Sequence, residues 1–405
     1  MRFMEQTKSQ LKSNASLWTK EFILMTISNL FLFFSFQMLI PTMPAYTQQS
    51  GGDQFAVGLV VGIFTISALL IRPFAGKALD TINRKYVLFI GLIIFVISAF
   101  SYQWTTTVFL ILSLRFIHGI GWGITTTSFG TIIADIIPSK RRGEGMGYYG
   151  LSSTFGMALA PLIGIWIMDN KGFPFLFSTA TILALITLVL TQLNTYSKEE
   201  NQKISKEEER KKSFLDGLME KRALFPSFLI LLFAITYGGV ITFITIYGKE
   251  QNIENVGWFF MGNALMVMLS RPISGKIFDK KGHQAVLIPG VIFVAIGLLL
   301  LSYTTNVTML VLAALSYGLG FGTVQPALQA WTINRVPPQR RGAANATFFS
   351  AFDLGIGIGS MTLGVVAKWT SYSIMYRLSI ILLIINIIVY LNYLRREKNK
   401  VPLKT

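Results

Sequence analysis

The sequence contains one nine-residue pattern twice, 199 positions apart. Residues 72–80 read RPFAGKALD and residues 271–279 read RPISGKIFD. The offset continues without a gap, because residues 138–143 (PSKRRG) correspond to residues 337–342 (PPQRRG). A repeat of about 200 residues is far longer than the roughly 20 to 50 residues of solenoid repeats, so it indicates two structurally equivalent halves.

Composition places both halves in a membrane. Hydrophobic residues make up 52% of the 405 residues and charged residues only 14%, and the mean hydropathy is +0.55. A bilayer-spanning helix needs about 20 mostly apolar residues, and such runs recur along almost the whole chain. We therefore predict an all-α membrane protein with twelve transmembrane helices in two pseudo-symmetric six-helix halves. The predicted helices are 22–40, 55–75, 86–134 (two helices divided at 101–107), 145–168, 173–193, 223–247, 256–275, 284–303, 308–334, 343–367 and 371–394.

The boundary between the halves is a change of composition. Residues 196–222 are dense in Lys and Glu, which predicts a solvated cytoplasmic linker. It separates an N-terminal half, residues 1–195, from a C-terminal half, residues 223–405.

The basic residues predict the orientation. Only Lys171, Lys249 and Lys368 fall in the loops on one side of the predicted helices, whereas most of the 36 Lys and Arg residues fall in the tails and the opposite loops. By the positive-inside rule, both termini are cytoplasmic in a multi-pass protein of the cell membrane. The net charge of +17 then reflects topology, and membrane lipids, not nucleic acid, are the expected partner.

The repeated pattern predicts a contact at the cytoplasmic surface. Gly76 and Gly275, near the inner ends of predicted helices 2 and 8, allow a neighbouring helix to approach closely. Asp80 and Asp279 can accept hydrogen bonds from the N-terminus of an adjacent helix and so latch one half to the other. The alternative is an acid that only balances the basic turn.

Two arginines open the two copies of this pattern. Arg72 and Arg271 lie one turn from the cytoplasmic surface. We expect their side chains to extend to the headgroups as anchors.

Residues 76–85 (GKALDTINRK) resemble the signature of the loop between helices 2 and 3 in the major facilitator superfamily, with Gly76, Asp80 and Arg84 at matching positions. The resemblance extends over all twelve predicted helices and implies the major facilitator fold. It also implies that Arg84 pairs with Asp135 at the inner end of helix 4.

A second motif is similar to the antiporter signature of this family, with Ala160 in place of one glycine. Residues 39–44 (LIPTMP) likewise resemble the branch of drug/proton antiporters with twelve helices. The small residues form a smooth face, and the proline removes a backbone hydrogen bond and bends the helix. The motif residues are Gly147, Gly156, Ala160, Pro161 and Gly164.

Asp353 is the one acid well inside a predicted helix. It lies ten residues into helix 343–367, or about 15 Å along the axis, near the midplane. Burying a carboxylate there costs at least ~2.5 kcal/mol, so it needs a partner, a proton or a wet cavity. We predict that Asp353 carries protons or binds a cationic substrate; the alternative is a structural acid between helices. Residues 115–121 (RFIHGIG) resemble a family motif whose arginine, here Arg115, implies proton coupling and pairing with Asp353.

A polar and aromatic stripe predicts a binding cavity. Asn29, Phe33 and Gln37 are spaced by four and share one face of helix 1, which suits an amphipathic organic molecule. The resemblance places helices 1, 4, 7 and 10 around the cavity. The alternative for every candidate residue is that it packs between helices and does not line the cavity. Further candidates on those helices are Trp122, Tyr237, Phe321 and Gln325.

Other function classes lack their motifs. There is no phosphate-binding loop, so ATP does not drive this chain directly, and His118 and His283 cannot form a metal cluster unaided. We expect no enzyme activity, cofactor or metal. The prediction is a monomeric secondary transporter that exports small amphipathic or cationic compounds in exchange for protons by alternating access. Two alternatives stay open: an importer of a sugar or metabolite, proton-coupled or facilitative, and a flippase for lipids or lipid-linked sugars.

Overall fold

The computed structural model describes residues 16–52, 54–194, 219–253 and 256–400, within which the regular structure is helical and contains no β-strand. Most of the predicted linker, residues 196–218, lies outside the described residues, as do the first and last residues of the chain. The helices are α1 (Lys20–Gln37, continued by Leu39–Gln49), α2 (Gln54–Thr81), α3 (Arg84–Ser101), α4 (Val108–Ile136), α5 (Arg142–Lys171), α6 (Phe173–Gln192), α7 (Leu224–Glu250), α8 (Gly257–Lys281), α9 (Gln284–Ser302), α10 (Val307–Asn334), α11 (Arg341–Trp369) and α12 (Tyr372–Lys400).

The helices have the length and surface of membrane spans. In the described part of the chain, 11 are long and apolar enough to cross a bilayer; α8 has the length, but Asn263 and Arg271 interrupt its apolar run. Large apolar side chains remain exposed, including Leu162 (66%), Met361 (75%) and Trp369 (81%). Such surfaces fit contact with lipid tails, and the predicted all-α membrane fold of twelve helices is confirmed.

The predicted end of the first helix is wrong. Instead of ending before Pro41, α1 breaks at Met38 and continues to Gln49. Pro41 lies in the first turn of the new segment, where a missing N–H does no harm. Packing stabilises this segment, because Met43 is fully buried in an apolar cluster and the Tyr46 hydroxyl donates to the Thr105 carbonyl at 2.8 Å.

The described helices pack as two compact units. Unit 1 contains the chain up to Ala223 together with Thr332–Ser350, and unit 2 contains Leu224–Trp331 and the chain from Ala351 onward. Within unit 1, α4 packs on α2 and α3, and α1 packs on α5 and α6. Within unit 2, α12 packs on α7 and α9.

The repeat in the sequence reappears as a repeat in packing. A Cβ atom at Gly123 of α4 would lie 2.7 Å from the carbonyl oxygen of Ala68 on α2, and one at Gly322 of α10 would lie 2.8 Å from the Cα of Val267 on α8. These glycines are 199 positions apart, as are their partners. Close approach of α4 to α2 is therefore repeated by α10 and α8.

Candidate functional site

Asp80 caps the N-terminus of α11. Its two carboxylate oxygens accept hydrogen bonds from the backbone N–H groups of Gly342 (2.7 Å) and Ala343 (2.9 Å). A Cβ at Gly76 would lie 2.9 Å from the carbonyl oxygen of Gly342 and closer still to Ala346, so only glycine permits this approach. The carboxylate thus neutralises two orphan donors and the positive end of a helix dipole.

Asp135, at the end of α4, lies between two arginines. Its Oδ2 accepts a hydrogen bond from Arg84 Nη1, and its Oδ1 accepts one from Arg341 Nη1 at 2.6 Å. The same Arg84 donates through Nη2 to the carbonyl of Pro338 at 2.6 Å. These groups are nearly buried: the Arg84 side chain is 1% exposed and that of Asp135 is 10% exposed. Burial and charge together strengthen such contacts.

The equivalent contact in the other repeat is uncharged on one side. Arg142, 199 positions before Arg341, donates to the side-chain carbonyl of Asn334, the counterpart of Asp135. In unit 2, Gly275 is buried on α8 and Asp279 is half-buried near its end. The Asp135 side of this cluster therefore carries the ion pairs.

Arg115 lies deep in α4. Its side chain is 1% exposed, and its Nε donates to the carbonyl of Val60 at 3.0 Å. The guanidinium carbon lies 4.6 Å from the ring centre of Phe64, a cation–π contact. Within the described residues Nη1 has no hydrogen-bond partner. Arg115 therefore keeps a free donor in the interior of unit 1.

Asp353 is half-buried on α11, in unit 2. It is the thirteenth of 29 residues in the helix, about 18 Å along the axis from its start. The next turn is open on this side, because a Cβ at Gly357 would meet nothing within 4 Å. Arg115 and Asp353 belong to different units, and their predicted pairing stays a prediction.

The small residues of α5 face α1. Gly156, Ala160 and Gly164 are buried along one side of the helix, and Gly147 is buried about two and a half turns earlier. A Cβ at Gly156 would lie 2.7 Å from the Cβ of Phe33. The helix runs without interruption through Pro161 from Arg142 to Lys171. The motif thus forms a continuous packing surface for α1.

We expect Gly164→Ala to destabilise the protein, because the added methyl would lie 2.6 Å from the carbonyl oxygen of Met38. Overpacking of this kind costs about 1–3 kcal/mol, so the melting temperature in detergent should fall by several degrees. Gly62→Ala is the matched control, since its Cβ would meet nothing within 4 Å and alanine favours a helix. Equal melting temperatures for the two variants would contradict the packing assignment.

The predicted stripe on α1 divides into two environments. Asn29 is 1% exposed; its amide donates to Ser152 Oγ (2.7 Å) and accepts from the Tyr149 hydroxyl (2.9 Å). This bridge to α5 favours packing over binding for Asn29. Phe33 is half-buried, with its ring centre 5.1 Å from that of Trp122. Gln37, one turn further, is buried.

The candidates on α7 and α10 come together in unit 2. The rings of Tyr237 and Phe321 are stacked with centres 4.5 Å apart, and Phe352 lies 6.1 Å from Tyr237. Gln325, one turn after Phe321, accepts a hydrogen bond from Arg271 Nη2 at 2.8 Å. The structure therefore joins three predicted residues and adds an arginine.

The two arginines expected to be headgroup anchors are interior residues instead. Arg72 is 2% exposed and Arg271 is 4% exposed. Arg72 Nη1 donates to the hydroxyls of Thr126 (2.9 Å) and Thr127 (3.1 Å) on α4, and position 126 is the repeat counterpart of Gln325. Both side chains point towards a polar group on the neighbouring helix, so they do not snorkel. The two arginines occupy the same position in the two repeats, and this repetition is the sequence feature that could have predicted an interior role.

Acidic and histidine side chains were compared for a possible metal site. In the described ranges, no group of three or more His, Asp or Glu side chains lies close enough to hold a metal ion.

The chain was compared with protein families and with known proteins, and these comparisons identify its family. A family model described as Major Facilitator Superfamily matches residues 25–359, with a second match over residues 251–405. The staphylopine export protein of Staphylococcus aureus is 25% identical over 390 residues, which cover 93% of this chain and 96% of that protein. Multidrug resistance protein 2 of Bacillus subtilis is 26% identical over 351 residues, covering 82% and 86% respectively.

A solved structure agrees in fold. The crystal structure of the human organic anion transporter MFSD10 (TETRAN) matches with a TM-score of 0.81 at 16% identity, over 91% of this chain and 98% of that one. Twelve helices, a repeat at 199 residues and a family match across almost the whole chain lead to one conclusion. The chain belongs to the Major Facilitator Superfamily of membrane transporters.

Proposed function

We propose that this transporter exports small amphipathic or cationic organic compounds in exchange for protons, by alternating access of two halves, residues 1–195 and 223–405. In this proposal the chain is a monomer in the cell membrane. Both termini and the linker 196–222 face the cytoplasm, because the basic residues concentrate on that side.

One observation carries the export direction. Two relatives that align with more than four-fifths of this chain are named for export and for multidrug resistance. The small-residue motif of α5, which resembles an antiporter signature, supports the same assignment; it packs on α1 within one half.

The contacts of Asp80 and Asp135 at the cytoplasmic ends of the helices supply the conformational switch. Asp80 holds the N-terminus of α11, and Asp135 holds Arg84 and Arg341. We assign these contacts to the state in which the cytoplasmic side is closed. Opening to the cytoplasm breaks them, so they set the balance between the two states. Gly76 allows the close approach of α11, and we assign the same role in the second repeat to Gly275.

Asp353 and Arg115 are the proposed coupling residues. Asp353 takes up a proton from outside, substrate leaves outward, the transporter changes state, and the proton is released to the cytoplasm. Its place in the middle of a span and the open space beside the next turn support this role. The unpartnered Nη1 of Arg115 supports a second interior group. The driving force is about 2.3 kcal/mol per charge per 100 mV, plus any pH gradient.

The proposal predicts proton movement on addition of substrate. Purified protein is reconstituted into liposomes with an acidic lumen that contains a pH-sensitive dye, and ethidium or a fluoroquinolone is added outside. Exchange should raise the luminal pH, because each compound that enters is matched by protons that leave. Protein-free liposomes are the control.

Other outcomes separate the alternatives. Acidification of the lumen together with uptake of a sugar would indicate a proton-coupled importer. No proton movement with any compound, together with faster transbilayer movement of a fluorescent lipid, would indicate a flippase. Either result would contradict the proposed exchange.

A further inference from the structure

Arg271 is a buried cation with an incomplete set of partners. It is 4% exposed, and its Nη2 donates to the uncharged amide oxygen of Gln325. Its Nε has no hydrogen-bond partner within the described residues. A buried charge normally has an ionic partner and a full set of hydrogen bonds. Among the residues that the structure describes, Arg271 has neither an ionic partner nor a full set of hydrogen bonds.

The repeat provides an internal comparison. Arg72 occupies the equivalent position, 199 residues earlier, and donates to the hydroxyls of Thr126 and Thr127. In the described part of the chain, no buried nitrogen of Arg72 lacks a partner. Arg72 thus shows that helix packing alone can provide hydrogen-bond partners for the buried donors of an arginine at this position. The open donor of Arg271 is a feature of the second repeat.

The unpartnered Nε of Arg271 lies on the side of the guanidinium that typically binds carboxylates. The Nε and Nη2 atoms of a guanidinium lie side by side, and their N–H groups match the two oxygens of a carboxylate. Gln325, the present partner of Nη2, is half-buried, whereas Arg271 itself is 4% exposed, so a ligand would reach this edge by displacing the Gln325 amide. A carboxylate there would occupy Nε and supply the missing negative charge.

A cluster of largely buried aromatic rings adjoins this edge. Gln325 and Phe321 are four residues apart on α10 and share a face. The ring of Phe321 is stacked on Tyr237, which also approaches Phe352. A flat ring system attached to a carboxylate would therefore find both of its parts in unit 2.

We propose that Arg271 binds the carboxylate of the transported compound, while Tyr237 and Phe321 contact its aromatic part. The inference rests on the proposed function, and it names the substrate class: amphipathic aromatic acids and zwitterions. Lysine is not an equivalent at this position, because one ammonium group cannot present two parallel donors.

Equilibrium binding to the purified protein in nanodiscs tests this assignment. The probes are 1-naphthoate and 1-naphthamide, which share a ring system and differ in charge, measured by calorimetry near neutral pH. The intact protein should prefer the acid by about 10- to 100-fold. Arg271→Gln should reduce the preference to within about two-fold without changing amide binding. Arg271→Lys should restore only part of it, and Arg72→Gln is the matched control.

Three results would overturn the inference: no preference in the intact protein, an unchanged preference in Arg271→Gln, or an equal loss in Arg72→Gln. Retained amide binding shows that Arg271→Gln is folded. Binding is measured without a gradient, so the preference for the acid holds or fails independently of proton exchange. If the acid preference depends on Arg271 but no compound moves protons in liposomes, the exporter proposal fails and the carboxylate site stands.

Discussion

Asp353→Asn is expected to abolish proton exchange and to leave substrate exchange at equal pH intact. Asparagine has nearly the same size and can hydrogen-bond, but it cannot take up or release a proton. In the described residues Asp353 is the one acid far from both ends of its helix. The variant should therefore lose uphill transport, because no other interior carboxylate is placed to carry the proton.

Two measurements on the same liposomes separate coupling from folding. Luminal pH should stay constant when substrate is added to Asp353→Asn, as it does without protein. Counterflow of labelled substrate at equal pH should persist. Asp169→Asn is the matched control, since it makes the same chemical change at an exposed position near the end of α5. Unchanged proton exchange in Asp353→Asn would assign a structural role to this acid.

The number and order of the helices could be predicted because they depend on local properties. Apolar runs of span length and a gapless repeat at 199 residues specify twelve helices in any packing arrangement. The end of α1 could not be predicted in this way. Pro41 is a local stop signal, yet burial of Met43 and the bond from Tyr46 to Thr105 extend the helix beyond it.

The sequence predicted which residues belong to the candidate site better than it predicted which groups they contact. A helix-capping role for Asp80 follows from an acid in a repeated motif, but the identity of the capped N–H groups, on Gly342 and Ala343, depends on tertiary contacts 262 and 263 positions away. The interior position of Arg271 depends on helix rotation. A snorkelling arginine and a buried one can have the same local sequence context, and the hydrogen bond to Gln325 shows that Arg271 is a buried one.

The two repeats are similar in packing and different in charge. Asp135 pairs with arginines, whereas its counterpart Asn334 accepts a single hydrogen bond from Arg142. All three hydrogen bonds have an ionised arginine as donor, but only those to Asp135 also join two opposite charges. In the proposed alternating movement, this difference in charge would make the contacts of Asp135 harder to break than those of Asn334.

Asp80→Ala is expected to shift the transporter towards the state with an open cytoplasmic side. The change removes two charge-assisted hydrogen bonds to the N-terminus of α11, each worth about 1.5–3 kcal/mol. Part of this free energy is regained when water reaches the freed N–H groups. We therefore expect the population of the open state to rise about 10- to 100-fold, with slower export because the closed state forms less often.

A single thiol reports this shift, because the chain contains no cysteine. Thr131→Cys places a thiol at a fully buried position on α4, beside Asn345 of α11 (3.4 Å). A membrane-impermeant maleimide added on the cytoplasmic side should label it about 10- to 100-fold faster in Asp80→Ala. Thr81→Ala is the neighbouring control, since the Thr81 hydroxyl bonds only to its own helix. Slower export without faster labelling would show that Asp80 acts in transport by some route other than holding α11, and the latch assignment would then be wrong.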